Sequence, residues 1–149
     1  MIRARRAVLA WLAFAGAAFA APPARSAEES RLVLVASVNS PLVTLTSADV
    51  RRLYLGVPLT HAGREIVALR NGENAMVKEM FLQHVLFMSA QAYERQIAAR
   101  IYRAGGNRIP EFCELRSLLE TLATEPLAVT FMQAEAAARQ PGIKILVEL

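Results

Sequence analysis

The chain has 149 residues and a formal net charge of +4, so it is long enough for one domain with a sizeable core, and this modest charge does not indicate a nucleic-acid-binding protein. Cys113 is its only cysteine, which excludes an intramolecular disulfide. We expect Cys113 to be a small buried hydrophobe; an intermolecular disulfide and a reactive thiol are the alternatives.

The first 20 residues have the pattern of a secretory signal peptide. A basic start with three arginines precedes a 14-residue apolar run, Ala7 to Ala20, and the small residues Ala18 and Ala20 suit a signal peptidase. The run is shorter than the roughly 20 residues that span a bilayer. We therefore predict residues 1–20 as a signal peptide, cleavage after Ala20, and a secreted chain without a membrane span.

Removal of the leader changes the charge balance. The 17 basic residues fall to 14 against 13 acidic ones, a net charge of +1. The basic excess is thus mostly a targeting feature, and we expect no nucleic-acid partner. Residues 21–30 are predicted to be a flexible N-terminal segment of the mature chain, and residues 31–149 to be its single domain.

The first half of this domain alternates strand and helix. Val33 to Val38 is an apolar run that suits a buried strand. Thr46 and Asp49 form a predicted capping box, and Gly56 favours the left-handed end of that helix. Ile66 to Leu69 is the second predicted strand.

A polar loop then leads into the next predicted helix. The loop is Arg70-Asn71-Gly72-Glu73, and Asn74 is the expected N-cap of a helix that buries an apolar stripe including Val77 and Phe81. A helix N-terminus offers free N–H donors and a partial positive charge, and Arg70 could add a bidentate contact to an oxyanion. Two interpretations remain open, an anion site and a purely structural loop.

The second half continues the alternation. Ser89 is the predicted cap of a third helix, and apolar residues at the spacing i, i+3, i+4, i+7 (Leu115, Leu118, Leu119 and Leu122) predict the clearest amphipathic helix. The remaining predicted elements are a strand from Leu127 to Met132, a helix from Ala134 to Ala138 and a strand from Ile143 to Leu149. This order predicts an α/β fold, a three-layer sandwich with a mostly parallel sheet and helices on both faces.

No catalytic motif was recognised. The two histidines have no partners at metal-ligand spacing, and no nucleophile elbow, phosphate-binding Walker loop or dinucleotide fingerprint occurs. We therefore expect neither an enzyme nor a metal or cofactor site. An arginine-rich face, which includes Arg95, Arg100, Arg103 and Arg108, is either a solvated surface or a docking surface for an acidic partner.

Three segments together resemble a known family. They are NSPLVTLTSADVRRLYLG, IVALRNGENAMVKEMFLQHVLFMSAQAYE and LLETLATEPLAVTFM, and they resemble the phosphate-binding, type 2 periplasmic solute-binding proteins of ABC transporters, in particular a small form with one lobe. In that family an Arg and a Ser-Gly-Thr helix start hold the phosphate oxygens. Arg70 matches the Arg, whereas Asn74, Ala75 and Met76 stand at the Ser-Gly-Thr positions.

The resemblance implies a single-lobe periplasmic-binding-protein-like domain over residues 31–149. It also implies a periplasmic protein that holds a small oxyanion such as phosphate for an ABC transporter or sensor. The expected ligand-binding residues are Arg70, Asn71, Gly72, Asn74, Ala75 and Met76. The alternative is an interaction module that binds no ligand and docks to another envelope protein.

Overall fold

The computed structural model describes residues 31–149, so the predicted signal peptide, residues 1–20, and the predicted flexible segment, residues 21–30, lie outside the described residues. In chain order the described elements are β1 (Leu32–Ser37), α1 (Ser47–Tyr54), β2 (Thr60–His61), β3 (Arg64–Glu65), β4 (Val67–Ala68), β5 (Arg70–Asn71), α2 (Ala75–Phe81), a π-helical segment (Leu82–Leu86), α3 (Ala90–Ala104), β6 (Glu111–Phe112), α4 (Leu115–Thr124), β7 (Ala128–Gln133), α5 (Ala134–Ala138) and β8 (Ile143–Glu148).

Helix α1 begins with the predicted capping box. The Thr46 hydroxyl accepts a hydrogen bond from the Asp49 backbone N–H at 3.1 Å, and the Asp49 carboxylate accepts one from the Thr46 N–H at 3.3 Å. The Thr46 hydroxyl also donates to the Asp49 carboxylate at 2.7 Å, and this bond, together with that from the Thr46 N–H, lowers the pKa of Asp49 from its ordinary value. Gly56 follows the helix with a φ of +84°, the left-handed conformation that glycine adopts without strain. The local sequence thus sets both ends of α1.

The main sheet has the strand order β4-β7-β1-β8 and is mostly antiparallel, so the predicted mostly parallel sheet is wrong. Strand β1 is antiparallel to both β7 and β8, and β4 is parallel to β7. It follows that β4, β7 and β8 share one direction and that β1 alone runs against them. Because β1 is buried on both faces, its sequence is a continuous apolar run. Such a run does not indicate whether the neighbouring strands are parallel or antiparallel to it.

Helices cover both faces of the sheet, as predicted. Side chains of β1 alternate between two core clusters: Leu34 belongs to the cluster under α1, α2 and α3, and Val35 belongs to the cluster under α4 and α5. Leu118 and Leu122 of α4 are fully buried in the second cluster, whereas Leu115 and Leu119 are partly buried. The amphipathic spacing of α4 therefore does identify its core face.

Three aromatic rings form the centre of the first cluster. The rings of Phe81 and Phe131 are stacked with centroids 3.9 Å apart, and the Tyr54 ring meets Phe81 edge-on at 4.7 Å. The Tyr54 hydroxyl donates a hydrogen bond to the Leu69 carbonyl at 2.8 Å, and complete burial raises its pKa. This aromatic cluster joins α1 and α2 to strand β7.

Two further expectations need correction. The strand predicted from Ile66 to Leu69 is only two residues long, β4 beside β7, and the predicted loop begins with a further short strand, β5, which pairs with β6. Cys113 is exposed, so its prediction as a buried residue is wrong: it follows the short strand β6 at the surface, outside both core clusters. Among residues 31–149, no helix is both long and apolar enough to cross a membrane.

Candidate functional site

The predicted anion loop lies where β5 ends and α2 begins. Strand β5 is parallel to β6, and this pairing aligns Arg70 with Glu111. Two backbone hydrogen bonds fix the alignment: the Arg70 N–H donates to the Pro110 carbonyl at 2.8 Å, and the Gly72 N–H donates to the Phe112 carbonyl at 2.8 Å. This pairing therefore places Glu111 beside Arg70, the arginine that the sequence predicts as an anion-binding residue.

The Arg70 guanidinium is held by two carboxylates. Its Nη1 lies 3.2 Å from Glu94 Oε1, and its Nη2 lies 3.0 Å from Glu111 Oε2. The guanidinium carbon also lies 4.8 Å from the centre of the Tyr93 ring, a cation–π contact. With only 13% of its side chain exposed, Arg70 is an internally paired residue rather than a free surface cation.

Two more cations complete an ionic network that we call the Arg70 cluster, formed by Arg70, Lys78, Glu94, Arg108 and Glu111. Lys78 Nζ lies 2.8 Å from Glu111 Oε1, and the Arg108 guanidinium binds the second oxygen of Glu94. Three cations thus surround two carboxylates. Glu111 is the shared anion of Arg70 and Lys78.

Gly72 leaves room for that carboxylate. A Cβ atom at this position would lie only 2.6 Å from Glu111 Oε1, which is closer than such contacts occur. The absence of a side chain at Gly72 is therefore what lets Glu111 lie against the loop. Any larger residue there would push the carboxylate away from Arg70 and Lys78.

Among the other predicted site residues, Asn71 and Asn74 make hydrogen bonds within the fold. Asn71 is buried; its Nδ2 donates to the Phe131 carbonyl at 3.1 Å, and its Oδ1 accepts from the Glu73 N–H at 3.1 Å. Asn74 is the N-cap of α2, as predicted, and its Oδ1 accepts from the Met76 N–H at 2.9 Å. Ala75 and Met76 are exposed. The N–H of Met76 therefore already donates a hydrogen bond to the N-cap side chain.

The structure brings Arg70 and Gly72 together with three residues that the sequence analysis did not include, Lys78, Glu94 and Glu111. Lys78 had a local signal, because it lies one turn after the N-cap Asn74 on the same helix. Glu94 and Glu111 had none, since α3 and β6 reach Arg70 only through tertiary packing. Within residues 31–149, no three His, Cys, Asp or Glu side chains come together as a metal site.

Burial and charge shift two pKa values in this region. Burial raises the pKa of the Tyr93 hydroxyl to about 12, opposed by the Arg70 charge, and the hydroxyl donates to the Tyr54 carbonyl at 2.9 Å. The hydrogen bond from Arg108 lowers the pKa of Glu94 below 4.5; burial opposes this shift and Arg70 adds to it. Glu94 is therefore held in its ionised form.

A pH dependence of stability follows from Glu94. Because its pKa is lower in the folded state, its contribution is present above the unfolded pKa and is lost as the pH falls through the folded pKa. We expect Glu94→Gln to reduce the loss of unfolding free energy between neutral and acid pH, measured by urea denaturation. Arg108→Gln should have the same effect; if both variants keep the wild-type pH profile, this ion pair does not contribute to stability.

A polar groove lies beside the loop. It has a volume of about 240 Å³, and its lining includes Asn71, Asn74, Gln140 and Arg139. The Arg139 guanidinium binds the Glu135 carboxylate one turn earlier on α5. The cation of this groove is therefore also paired within the chain.

Comparison with solved structures shows a structural likeness to a known protein. No protein-family model and no curated protein matches the chain. A crystal structure of an ABC-type phosphate transport receptor from Vibrio cholerae is similar to it, with a TM-score of 0.56 and 13% sequence identity. The match covers 78% of this chain and 45% of the receptor. At this identity the likeness shows the fold alone, which is similar to that of part of the receptor.

Proposed function

We propose that the protein is a solute-binding-like protein of the cell envelope that holds a small oxyanion, such as phosphate, at the Arg70 cluster. In this proposal Arg70 and Lys78 are the binding cations, and the ligand takes the place of the Glu111 carboxylate. The protein has no catalytic role. Its function is to present the anion to a transporter or sensor in the periplasm.

The observation that carries the proposal is the convergence of two cations on one carboxylate. Arg70 and Lys78 contact opposite oxygens of Glu111 at 3.0 Å and 2.8 Å, and Gly72 leaves room for that carboxylate. A carboxylate is itself an oxyanion, so a site shaped for it offers charge-assisted donors to phosphate or sulfate. The phosphate transport receptor that shares the fold supports the same ligand class.

Two features make the expected affinity low. The ligand must displace Glu111, whose negative charge also repels it, and the chain spans only 45% of the receptor that it resembles. Receptors of this kind close two lobes over a ligand by a hinge motion. A single lobe leaves the ligand open to solvent, so a second subunit or a partner protein would complete the site.

Removing the charge of Glu111 is the sharpest test. We expect Glu111→Gln to increase the stabilisation of the fold by millimolar phosphate, because three cations would then face the single carboxylate of Glu94. A ligand at 100 times its dissociation constant stabilises the folded state by about 2.7 kcal/mol. The measurement is the melting temperature against phosphate concentration at constant ionic strength, with sulfate and chloride as comparison anions.

Two variants control this experiment. Glu120→Gln removes the same charge from an exposed position of α4 outside the Arg70 cluster, and it should respond to phosphate as the wild type does. Adding Arg70→Gln to Glu111→Gln should abolish the response. If phosphate and sulfate leave the melting temperature of Glu111→Gln unchanged, the oxyanion proposal is wrong.

The second candidate is an interaction module that binds no ligand and docks to another envelope protein. The observation that favours it is the internal pairing of two loop residues: Arg70 contacts two carboxylates, and the Asn74 side chain accepts a hydrogen bond from the N–H of Met76. Large apolar side chains at the surface, such as Val43 and Tyr102, 81% and 92% exposed, agree with this candidate.

A further inference from the structure

A second cavity is lined by none of the five residues of the Arg70 cluster. It is a groove with a volume of about 420 Å³ between the end of α1, strand β4 and the last turns of α3. Small-molecule sites in proteins have volumes of roughly 300–1,000 Å³ and are mostly apolar, with a few polar groups. In size, this groove is therefore suited to a small organic ligand.

Part of the groove's lining is aliphatic. Leu53, Ile66 and Ile97 are buried residues that line it, and Ile101 and Ile109 add partly buried aliphatic surface. Such a surface gains free energy when it covers a hydrocarbon group. The lining thus favours a ligand with an apolar body.

Arg100 supplies a positive charge to this groove. It is half-buried, and within residues 31–149 its guanidinium makes no hydrogen bond or ion pair. Its stem lies against Gly56: a Cβ atom at Gly56 would lie 2.8 Å from Arg100 Cδ. A glycine in left-handed conformation therefore lets the arginine chain lie across the end of α1, with its donors available to a ligand.

We propose that this groove binds a small organic acid with an apolar body and a single carboxylate. The aliphatic lining would cover the body, and the guanidinium of Arg100 would bind the carboxylate through two parallel hydrogen bonds. Glu65 is exposed on the lining and makes no ion pair within the described residues. Its negative charge opposes a second carboxylate on the ligand, so monoacids are favoured over diacids.

This site differs from the Arg70 cluster in its chemistry. None of the five residues of that cluster lines the groove. Arg70 and Lys78 in the cluster are paired with carboxylates, whereas Arg100 in the groove makes no ion pair within the described residues. The two sites should therefore respond to different ligands. Inorganic phosphate reports on the Arg70 cluster, and an aliphatic acid reports on the groove.

The test is a calorimetric titration with 4-methylpentanoate and, in parallel, with its uncharged amide and with acetate. We expect the acid to bind more tightly than either comparison compound, because the amide lacks the charge and acetate lacks the apolar body. Arg100→Gln should weaken binding of the acid by about tenfold or more, as expected for loss of a charge-assisted contact. Arg100→Lys keeps the charge and should retain part of the affinity.

The matched control is Arg103→Gln, an exposed arginine on the same helix that does not line the groove; its affinity for the acid should equal that of the wild type. Ala104→Phe, at the rim, should block binding by filling the groove. The proposal is wrong if the wild type does not bind the acid at millimolar concentration, if the amide binds equally well, or if Arg100→Gln binds as the wild type does.

Discussion

Replacing Phe81 with alanine is expected to lower the free energy of unfolding by about 3–5 kcal/mol. Phe81 is 2% exposed, and its ring is stacked on Phe131 and in edge contact with Tyr54. Removing the ring would leave a cavity between α2 and the sheet, and the stacked partner would lose its contact face. Domains of this size have a total stability of about 5–15 kcal/mol, so the loss is a large fraction.

Equilibrium denaturation with urea measures this loss. Met76 provides the control on the same helix, since its side chain is 68% exposed. Met76→Ala should change the unfolding free energy by no more than about 0.5 kcal/mol, as for most surface substitutions. Equal effects of Phe81→Ala and Met76→Ala would contradict the position of α2 against the sheet.

Replacing Leu118 with alanine is expected to cost about 2–5 kcal/mol. Leu118 is fully buried in the cluster between α4 and the sheet, where Val35 and Ala128 are also fully buried. The neighbouring Leu119 is only partly buried and packs at the edge of the same cluster. Leu119→Ala should therefore cost less than Leu118→Ala, although the two substitutions remove the same atoms.

Thermal and urea denaturation of the two leucine variants test the orientation of α4. Helical spacing alone places both residues on the apolar face, so the sequence predicts comparable losses. A larger loss for Leu119→Ala would mean that the helix is rotated about its axis relative to the structure described above.

The features that could be predicted from the sequence are those set by short-range contacts. Four such features each depend on residues within one helical turn: the capping box of Thr46 and Asp49, the N-caps Asn74 and Ser89, and the positive φ of Gly56. The fifth helix, Ala134–Ala138, was predicted with its observed bounds. In each case the signal and the structure involve the same few residues.

Strand direction could not be predicted because it depends on distant pairing. The alternation of strands and helices predicts strands that run in the same direction, and β4, β7 and β8 do so. Nothing in the apolar run of β1 distinguishes a parallel from an antiparallel neighbour, since both environments bury the two faces of the strand alike. The error therefore comes from one strand, although it changes two of the three pairings in the main sheet.

The candidate site was predicted in part for the same reason. Arg70 and Asn74 were identified from the loop and helix around them, and Asn74 has its predicted capping role. The partners that decide what Arg70 can do, Glu94 and Glu111, come from α3 and from the two-residue strand β6. Their carboxylates meet Arg70 only after the chain has folded, so no sequence spacing could indicate them.

The position of β1 between β7 and β8 has a consequence for the order of folding. The first described strand pairs only with the last two, for example Leu34 with Phe131 and with Val147. Such pairing requires closure of a loop of almost the whole domain, and contacts of this range slow folding. During synthesis the apolar segment from Leu32 to Ala36 is made before the two strands with which it pairs. Until those strands are available, this exposed apolar segment is prone to aggregation and would need a chaperone.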